Sequence, residues 1–223
     1  FVSLAEKPLK VTLGGSFTSK YQAGQTFERD STVFTLPNNV GATTGRLGLV
    51  YKNLQFTGEY VTKINDPNAD NGYIFKKGES IFINAAFSKK GFGVTASAKY
   101  VDNMAFRSDR DALLFDVPIN FLPAITRQHT YNLAATLYPY ATVLNGEVGV
   151  SGELFYNFKK ESLLGGKYGT YVSLNVAAVN SLDTTHVGGT EELINSYEVN
   201  SYGFGDTKYV RDVNLEIRKK INK

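Results

Sequence analysis

Apolar and polar residues alternate with a period of two in nine segments of this chain, and this pattern limits what it can fold into. In the first segment, 9–21, Leu9, Val11 and Leu13 fall on one side of an extended strand, and Lys10 and Thr12 fall on the other. Such alternation predicts β-strands with one apolar and one polar face. Comparable segments recur at 46–52, 54–63, 80–88, 92–100, 130–137, 148–158, 171–178 and 212–218.

The connections between these segments differ strongly in length. Lys52-Asn53 and Lys89-Lys90-Gly91 predict tight hairpin turns. Longer connections are expected at about 22–41, 65–73, 101–128 and 181–206. Outer-membrane barrels place short turns on one side and long loops on the other. With nine strands, 181–206 would fall on the short-turn side. A weak tenth strand at 112–119 would restore the alternation, although Pro118 is a poor residue within a ladder.

A membrane sheet and a soluble sandwich both alternate in this way, so other features must distinguish them. Several segments run to ten or more residues, whereas soluble strands average five or six. Tyr and Phe recur near segment ends, as interfacial girdles require. No stretch approaches 18 consecutive apolar residues, so no membrane helix is predicted. We therefore expect an all-β, antiparallel transmembrane β-barrel of about ten up-and-down strands in a bacterial outer membrane.

The alternation assigns side chains to the two surfaces of such a barrel. The predicted lumen-facing residues are charged and comprise Lys10, Arg46, Glu59, Lys99, Glu153, Glu216 and Arg218. The predicted lipid-facing residues are large and apolar and comprise Leu9, Val11, Leu13, Leu47, Leu49, Leu54, Phe56, Ile81, Ile83, Val94, Leu133, Val150, Leu174, Leu215 and Ile217.

Composition excludes several other classes of site. The absence of Cys removes disulfides, thiolate metal sites and thiol nucleophiles. The 24 basic and 21 acidic residues are scattered without a block of like charge, so no nucleic-acid partner is expected. The N-terminus FVSLAEKPLK lacks the basic and apolar regions of a signal peptide, so we expect a mature or truncated chain.

Four stretches resemble a family of large outer-membrane barrels from Bacteroidota that is catalogued as a domain of unknown function. They are NDPNADNGYIFKKG (65–78), KYVDNMAFRSDR (99–110), INFLPAITRQHTYNLAATLYPYA (119–141) and the run that begins with NGEVGVSGELFYNFKK and ends with LLGGKYGTYVSLN (145–175). Members of that family are longer, so the resemblance implies that residues 1–223 form one incomplete barrel segment. It implies no activity.

Few residues suggest chemistry. A Ser-His-Asp arrangement would need His129 or His186, and a rim or solvent position fits either residue better. Asp66, Asn68 and Asp70 place oxygens at alternate positions, as in a Ca²⁺ loop, but a hairpin tip explains the same composition. The glycines of 165–169 lack phosphate-loop spacing and fit a tight turn.

A charged loop segment offers one further candidate. Arg107, Asp109 and Arg110 alternate in sign within the long connection 101–128. They belong either to a solvated loop or to a loop that folds inward to constrict the lumen or hold an anionic ligand.

The sequence thus predicts a non-enzymatic outer-membrane barrel that serves as a pore or channel, or as a scaffold subunit of an envelope complex. No cofactor is expected. The expected partners are the lipid bilayer, lipopolysaccharide and other outer-membrane or periplasmic proteins. Two alternatives stay open: a soluble β-rich binding module, and a barrel-embedded hydrolase whose site lies outside this segment.

Overall fold

The computed structural model describes residues 2–3, 9–114, 116–129, 140–188 and 196–222. These residues form strands and one short 3-10 helix, Ala69–Asn71. The strands are β1 (Val2–Ser3), β2 (Leu9–Tyr21), β3 (Thr26–Arg29), β4 (Thr32–Thr35), β5 (Asn39–Tyr51), β6 (Leu54–Lys63), β7 (Gly78–Lys89), β8 (Phe92–Asp102), β9 (Gly146–Phe158), β10 (Thr170–His186) and β11 (Tyr197–Lys219).

Nine strands form one antiparallel sheet in the order β1-β2-β5-β6-β7-β8-β9-β10-β11, and β3 pairs with β4 in a separate hairpin. The expected all-β antiparallel architecture is confirmed. Within the described ranges β1 and β11 do not pair with each other, so this sheet is open. Its closure into a barrel stays a prediction.

The connections up to β9 alternate in length, as expected. Those at 52–53 and 90–91 are short, which confirms the two predicted hairpin turns, whereas 22–38, 64–77 and 103–145 are long and leave the opposite end of the sheet. The connections 159–169, which contains the predicted glycine turn, and 187–196 leave opposite ends but have similar lengths, so the expected alternation does not extend to them. The predicted segment at 130–137 lies outside the described residues.

The predicted tenth strand at 112–119 is wrong. The described residues there contribute only an isolated bridge, Arg107 to Pro118. Leu114 and Val117 have positive φ angles, which extended strands do not tolerate, and Pro118 has no backbone N–H to donate. No strand at 112–119 is needed to bring β8 beside β9, because these two strands pair directly.

The predicted long connection at 181–206 is also wrong, because β10 and β11 continue through most of it. Their pairing shifts register four times between Val179 and Thr184. Each shift disturbs the period-two pattern, which explains why the sequence did not indicate strands there. As for helices, those in the described part of the chain are too short and too polar to cross a bilayer.

Candidate functional site

One face of the nine-stranded sheet, here called the polar face, gathers the charged side chains. Residues that pair directly share a face, and Arg46 pairs with Gly14 and Glu59. Following these pairs across the sheet places all seven predicted lumen-facing residues on the polar face, from Lys10 on β2 to Glu216 and Arg218 on β11. The predicted segregation of charge is therefore present, whereas its contact with a lumen stays a prediction.

The opposite face, here called the apolar face, carries fourteen of the fifteen predicted lipid-facing residues. The fifteenth, Leu133, lies outside the described residues. Many of these side chains are open to the surroundings, among them Leu13 (77% exposed), Leu215 and Ile217 (both 61% exposed). The described chain places no second layer over them.

Ile81 is an exception, because the distal part of the β10–β11 hairpin folds over this end of the apolar face. Leu182 of that hairpin is buried with Tyr100 and Val148, and Ile81 and Val199 pack against the cluster. Tyr202 adds an edge-to-face contact with Tyr100 at 4.8 Å between ring centroids. Ile81 is thus half-buried by protein at this end of the apolar face, and its contact with lipid stays a prediction.

The polar face is covered by the connection between β8 and β9, here called the covering loop and described at 103–114, 116–129 and 140–145. Met104, Phe106 and Ile125 are buried against the sheet. Ile125 lies at Gly149, where an added Cβ would come within 3.1 Å of its side chain. The Lys20 ammonium lies 5.6 Å from the Phe106 ring centroid. The loop therefore reaches from β9 across the sheet to β2.

A buried ion pair anchors both limbs of this loop. Lys99 Nζ lies 2.6 Å from Glu147 Oε1, and both side chains are at most 2% exposed. Lys99 also donates to the Pro123 carbonyl at 2.8 Å and to Thr142 Oγ1 at 2.7 Å. Glu147 accepts from the Tyr140 hydroxyl and from the backbone N–H of Val143. Burial, followed by donation to Glu147, raises the pKa of Tyr140 and keeps this donor neutral.

A second buried charge cluster lies where β2, β6 and the 64–77 connection meet. Asp66 forms an ion pair with Lys20, whose Nζ lies 2.9 Å from Oδ1, and accepts a hydrogen bond from Lys63 Nζ at 3.4 Å. Lys63 also donates to the Ala105 carbonyl. Asp70 pairs with Arg107. Asn68 caps the 3-10 helix and accepts from the Asn71 N–H. The Ca²⁺ candidates Asp66, Asn68 and Asp70 therefore all have protein partners for their side-chain oxygens.

The constriction candidates Arg107 and Arg110 are buried and hold loops together. Arg107 donates to the carbonyls of Asp116 and Leu114, both at 2.7 Å, in addition to its pair with Asp70. Arg110 donates to Gln22 Oε1 and the Pro37 carbonyl. Asp109 is exposed and accepts from Gln22 Nε2. Instead of presenting charge to a ligand, the two arginines fasten the covering loop to the 22–38 and 64–77 connections.

The remaining described part of the covering loop is fastened to β9 and β11. Arg127 lies 3.4 Å from carboxylate oxygens of both Glu153 and Glu216. His129 Nε2 lies 2.7 Å from Asp212 Oδ2. His186 is the exposed last residue of β10, far along the chain from this contact. The predicted lumen-facing carboxylates Glu153 and Glu216 thus act as docking points for the loop.

A cavity of about 320 Å³ is left between the covering loop and the polar face. The sheet contributes Glu59, Phe82 and Lys99 to its wall, and the loop contributes Met104, Phe106 and Leu122. Lys20, Lys63 and Glu147, which organise the surroundings, were not predicted as site residues. Their only sequence signal is a charge near a strand end.

Aromatic contacts join the loops at the same end. Phe27 of the β3–β4 hairpin stacks on Tyr73 with ring centroids 4.5 Å apart, and Phe34 lies 5.6 Å from Phe75. The Tyr73 hydroxyl donates to Asp111 at 2.5 Å. Burial, helped by this hydrogen bond, raises the pKa of Tyr73 to about 12.

Comparison with known proteins gives one result. No curated protein and no solved structure matches the chain. A family described as a family of unknown function, DUF6029, matches residues 2–223. Because this match covers nearly the whole sequence, the chain belongs to the family of unknown function DUF6029.

Proposed function

We propose that this chain forms part of the wall of an outer-membrane β-barrel, with its apolar face against lipid and its polar face toward a loop-filled interior. The inverted distribution of polarity carries the proposal. Leu13 and Val213 are 77% and 74% exposed, whereas Lys63, Lys99 and Glu147 are 1%, 3% and 0% exposed. In water this arrangement is unfavourable on both faces, because apolar area stays hydrated and charges are desolvated. In a bilayer the apolar face is matched to its surroundings.

The open edges of the sheet agree with this proposal, because they leave room for further strands of a barrel. Within hydrocarbon every backbone N–H and C=O must be hydrogen-bonded, so β1, β2 and β11 need partner strands along their free edges. Further strands of a barrel would supply them. The resemblance to Bacteroidota outer-membrane barrels supports the same assignment and the same cellular location.

The covering loop favours a closed interior over an open pore. Its cation–π contact, hydrogen bonds and ion pairs reach β2, β6, β8, β9 and β11, and the space it leaves is about 320 Å³. We therefore propose a scaffold subunit of an envelope complex, or a channel that opens only when this loop moves. No enzymatic role is proposed.

Electrophoresis of outer-membrane fractions containing the full-length protein tests the proposal. A folded barrel migrates differently before and after boiling, so we expect two mobilities and recovery in the membrane fraction. Identical mobility together with recovery as a monodisperse, detergent-free protein would favour the soluble binding module. Leakage of small solutes from liposomes would then separate an open pore, which leaks, from the sealed scaffold, which does not.

A further inference from the structure

The short-turn end of the sheet carries a basic cleft of about 1040 Å³, here called the rim cleft. It lies between the 159–169 turn, the 90–91 turn and the end of β11. Its described lining contains Lys90, Lys159, Lys160, Arg218, Lys219 and Lys220 and no carboxylate. Arg218 is paired with Glu216, whereas no ion pair is found for the five lysines among the described residues. These lysines are exposed and concentrate positive charge around the rim cleft.

Aromatic rings accompany the cations at this end. Lys167 and Lys220 lie 5.7 and 5.6 Å from the ring centroid of Tyr168. Each neighbouring turn repeats the arrangement, with Lys52 at Tyr51 and Lys89 at Phe92. Alternating Lys and aromatic side chains are typical of the headgroup level of a bilayer, where rings lie at the interface and ammonium groups reach phosphate.

The rim cleft also opens onto the apolar face. Tyr156 and Phe158 form its wall with ring centroids 4.7 Å apart, and Tyr156 is exposed. Leu154 and Leu174 continue the apolar surface directly above, and each is 41% exposed. An occupant with a phosphate and an acyl chain would therefore satisfy the lysines and the apolar strip together. A free anion would use only the lysines.

We propose that the rim cleft binds the headgroup of an anionic glycerophospholipid, such as phosphatidylglycerol, from the leaflet on the short-turn side. The inference rests on the proposed membrane location and adds the lipid class and the site. A lysine near an anionic membrane surface contributes about a fivefold change in binding, so removing two lysines should weaken binding about twenty-fivefold.

The test uses full-length protein, delipidated in detergent and titrated with phosphatidylglycerol while native mass spectrometry counts bound lipids. The variants are Lys159→Ala with Lys160→Ala, the same pair changed to Arg, and Lys77→Ala as an exposed lysine at the opposite end. We expect the alanine pair to bind about twenty-fivefold more weakly, and the other two variants to bind as the unsubstituted protein does. Inorganic phosphate at millimolar concentration should not compete.

Equal lipid binding by the alanine pair would overturn the inference, and full competition by phosphate would reassign the rim cleft to a soluble anion. Gel mobility before and after boiling is recorded for each variant. If the alanine pair keeps heat-dependent mobility and binds the lipid as the unsubstituted protein does, only this inference is contradicted. A protein without heat-dependent mobility contradicts the proposed membrane location itself.

Discussion

Individual charges on the polar face are tolerated because each buried one has a nearby partner. Lys99 and Glu147 lie 2.6 Å apart, and Asp66 is shared by Lys20 and Lys63. Desolvation makes such pairs weak contributors to net stability, but the loss of one partner leaves the other charge buried and unpaired. Their effect is therefore to specify how the covering loop sits.

Lys99→Met should release this loop. The substitution leaves the Glu147 carboxylate buried without its cation and removes the donors to Pro123 and Thr142, at a cost of about 3–5 kcal/mol. We expect faster proteolytic cleavage within 103–145 of the folded, detergent-solubilised protein. Lys77→Met, which changes an exposed lysine, should leave the cleavage rate unchanged. If the protease cleaves both variants within 103–145 at the same rate, Lys99 does not anchor the loop.

The hydrogen bond from Tyr73 to Asp111 should depend on alkaline pH. The pKa of Tyr73 in the folded protein, about 12, exceeds its ordinary value of 10.0. The stability that the neutral hydroxyl contributes is therefore complete below about pH 10 and is lost as the pH rises through 12. Absorbance of tyrosinate at alkaline pH should show several late-titrating tyrosines, because burial also raises the pKa of Tyr100, Tyr140 and Tyr197, and Tyr73→Phe should remove the one that titrates at about pH 12. Loss of an early-titrating group instead would contradict the assignment.

At the level of elements, strands that follow strict alternation could be predicted, and those that depend on distant contacts could not. Leu9 to Tyr21 alternates apolar and polar positions except at Gly15 and Ser19, and β2 has those bounds. The distal halves of β10 and β11 were missed because bulges between Val179 and Thr184 shift their periodicity. The covering loop was predicted as a long connection, but its docking depends on pairs such as Arg107 with Asp70 and Arg127 with Glu216, whose members are far apart in sequence.

Leu182→Ala should detach the distal β10–β11 hairpin from the sheet. Leu182 is buried with Tyr100 and Val148, and truncating a buried leucine costs about 2–5 kcal/mol. We expect faster amide hydrogen exchange in 197–204 in detergent. Leu215→Ala on the same strand pair is a matched control, because Leu215 is 61% exposed and lies outside this cluster. Slow exchange in the Leu182 variant would mean that backbone pairing alone holds the hairpin.

At the level of the whole molecule, an added charge should destabilise the protein much more on the apolar face than on the polar face. Leu13→Arg places a cation on the proposed lipid face, where it costs about 2–4 kcal/mol at the bilayer midplane. Thr12→Arg places the same group on the polar face, next to Leu13 in sequence, and should cost little. Urea unfolding of the full-length protein in vesicles measures the free energy of unfolding of both variants. The fraction that stays folded is read from the band of the folded protein in unboiled gel samples. A larger loss for Thr12→Arg would reverse the assignment of the faces.

The register shifts in the β10–β11 pair also have a consequence for membrane thickness. Residues 170–179 pair one-to-one with 210–219, which makes ten uninterrupted pairs before the first bulge. A tilted strand needs about 9–11 residues to traverse the hydrocarbon layer. In the proposed orientation, these ten regular pairs span the hydrocarbon layer, starting at the rim cleft, and the first bulge, at Asn180, lies where the two strands leave the bilayer.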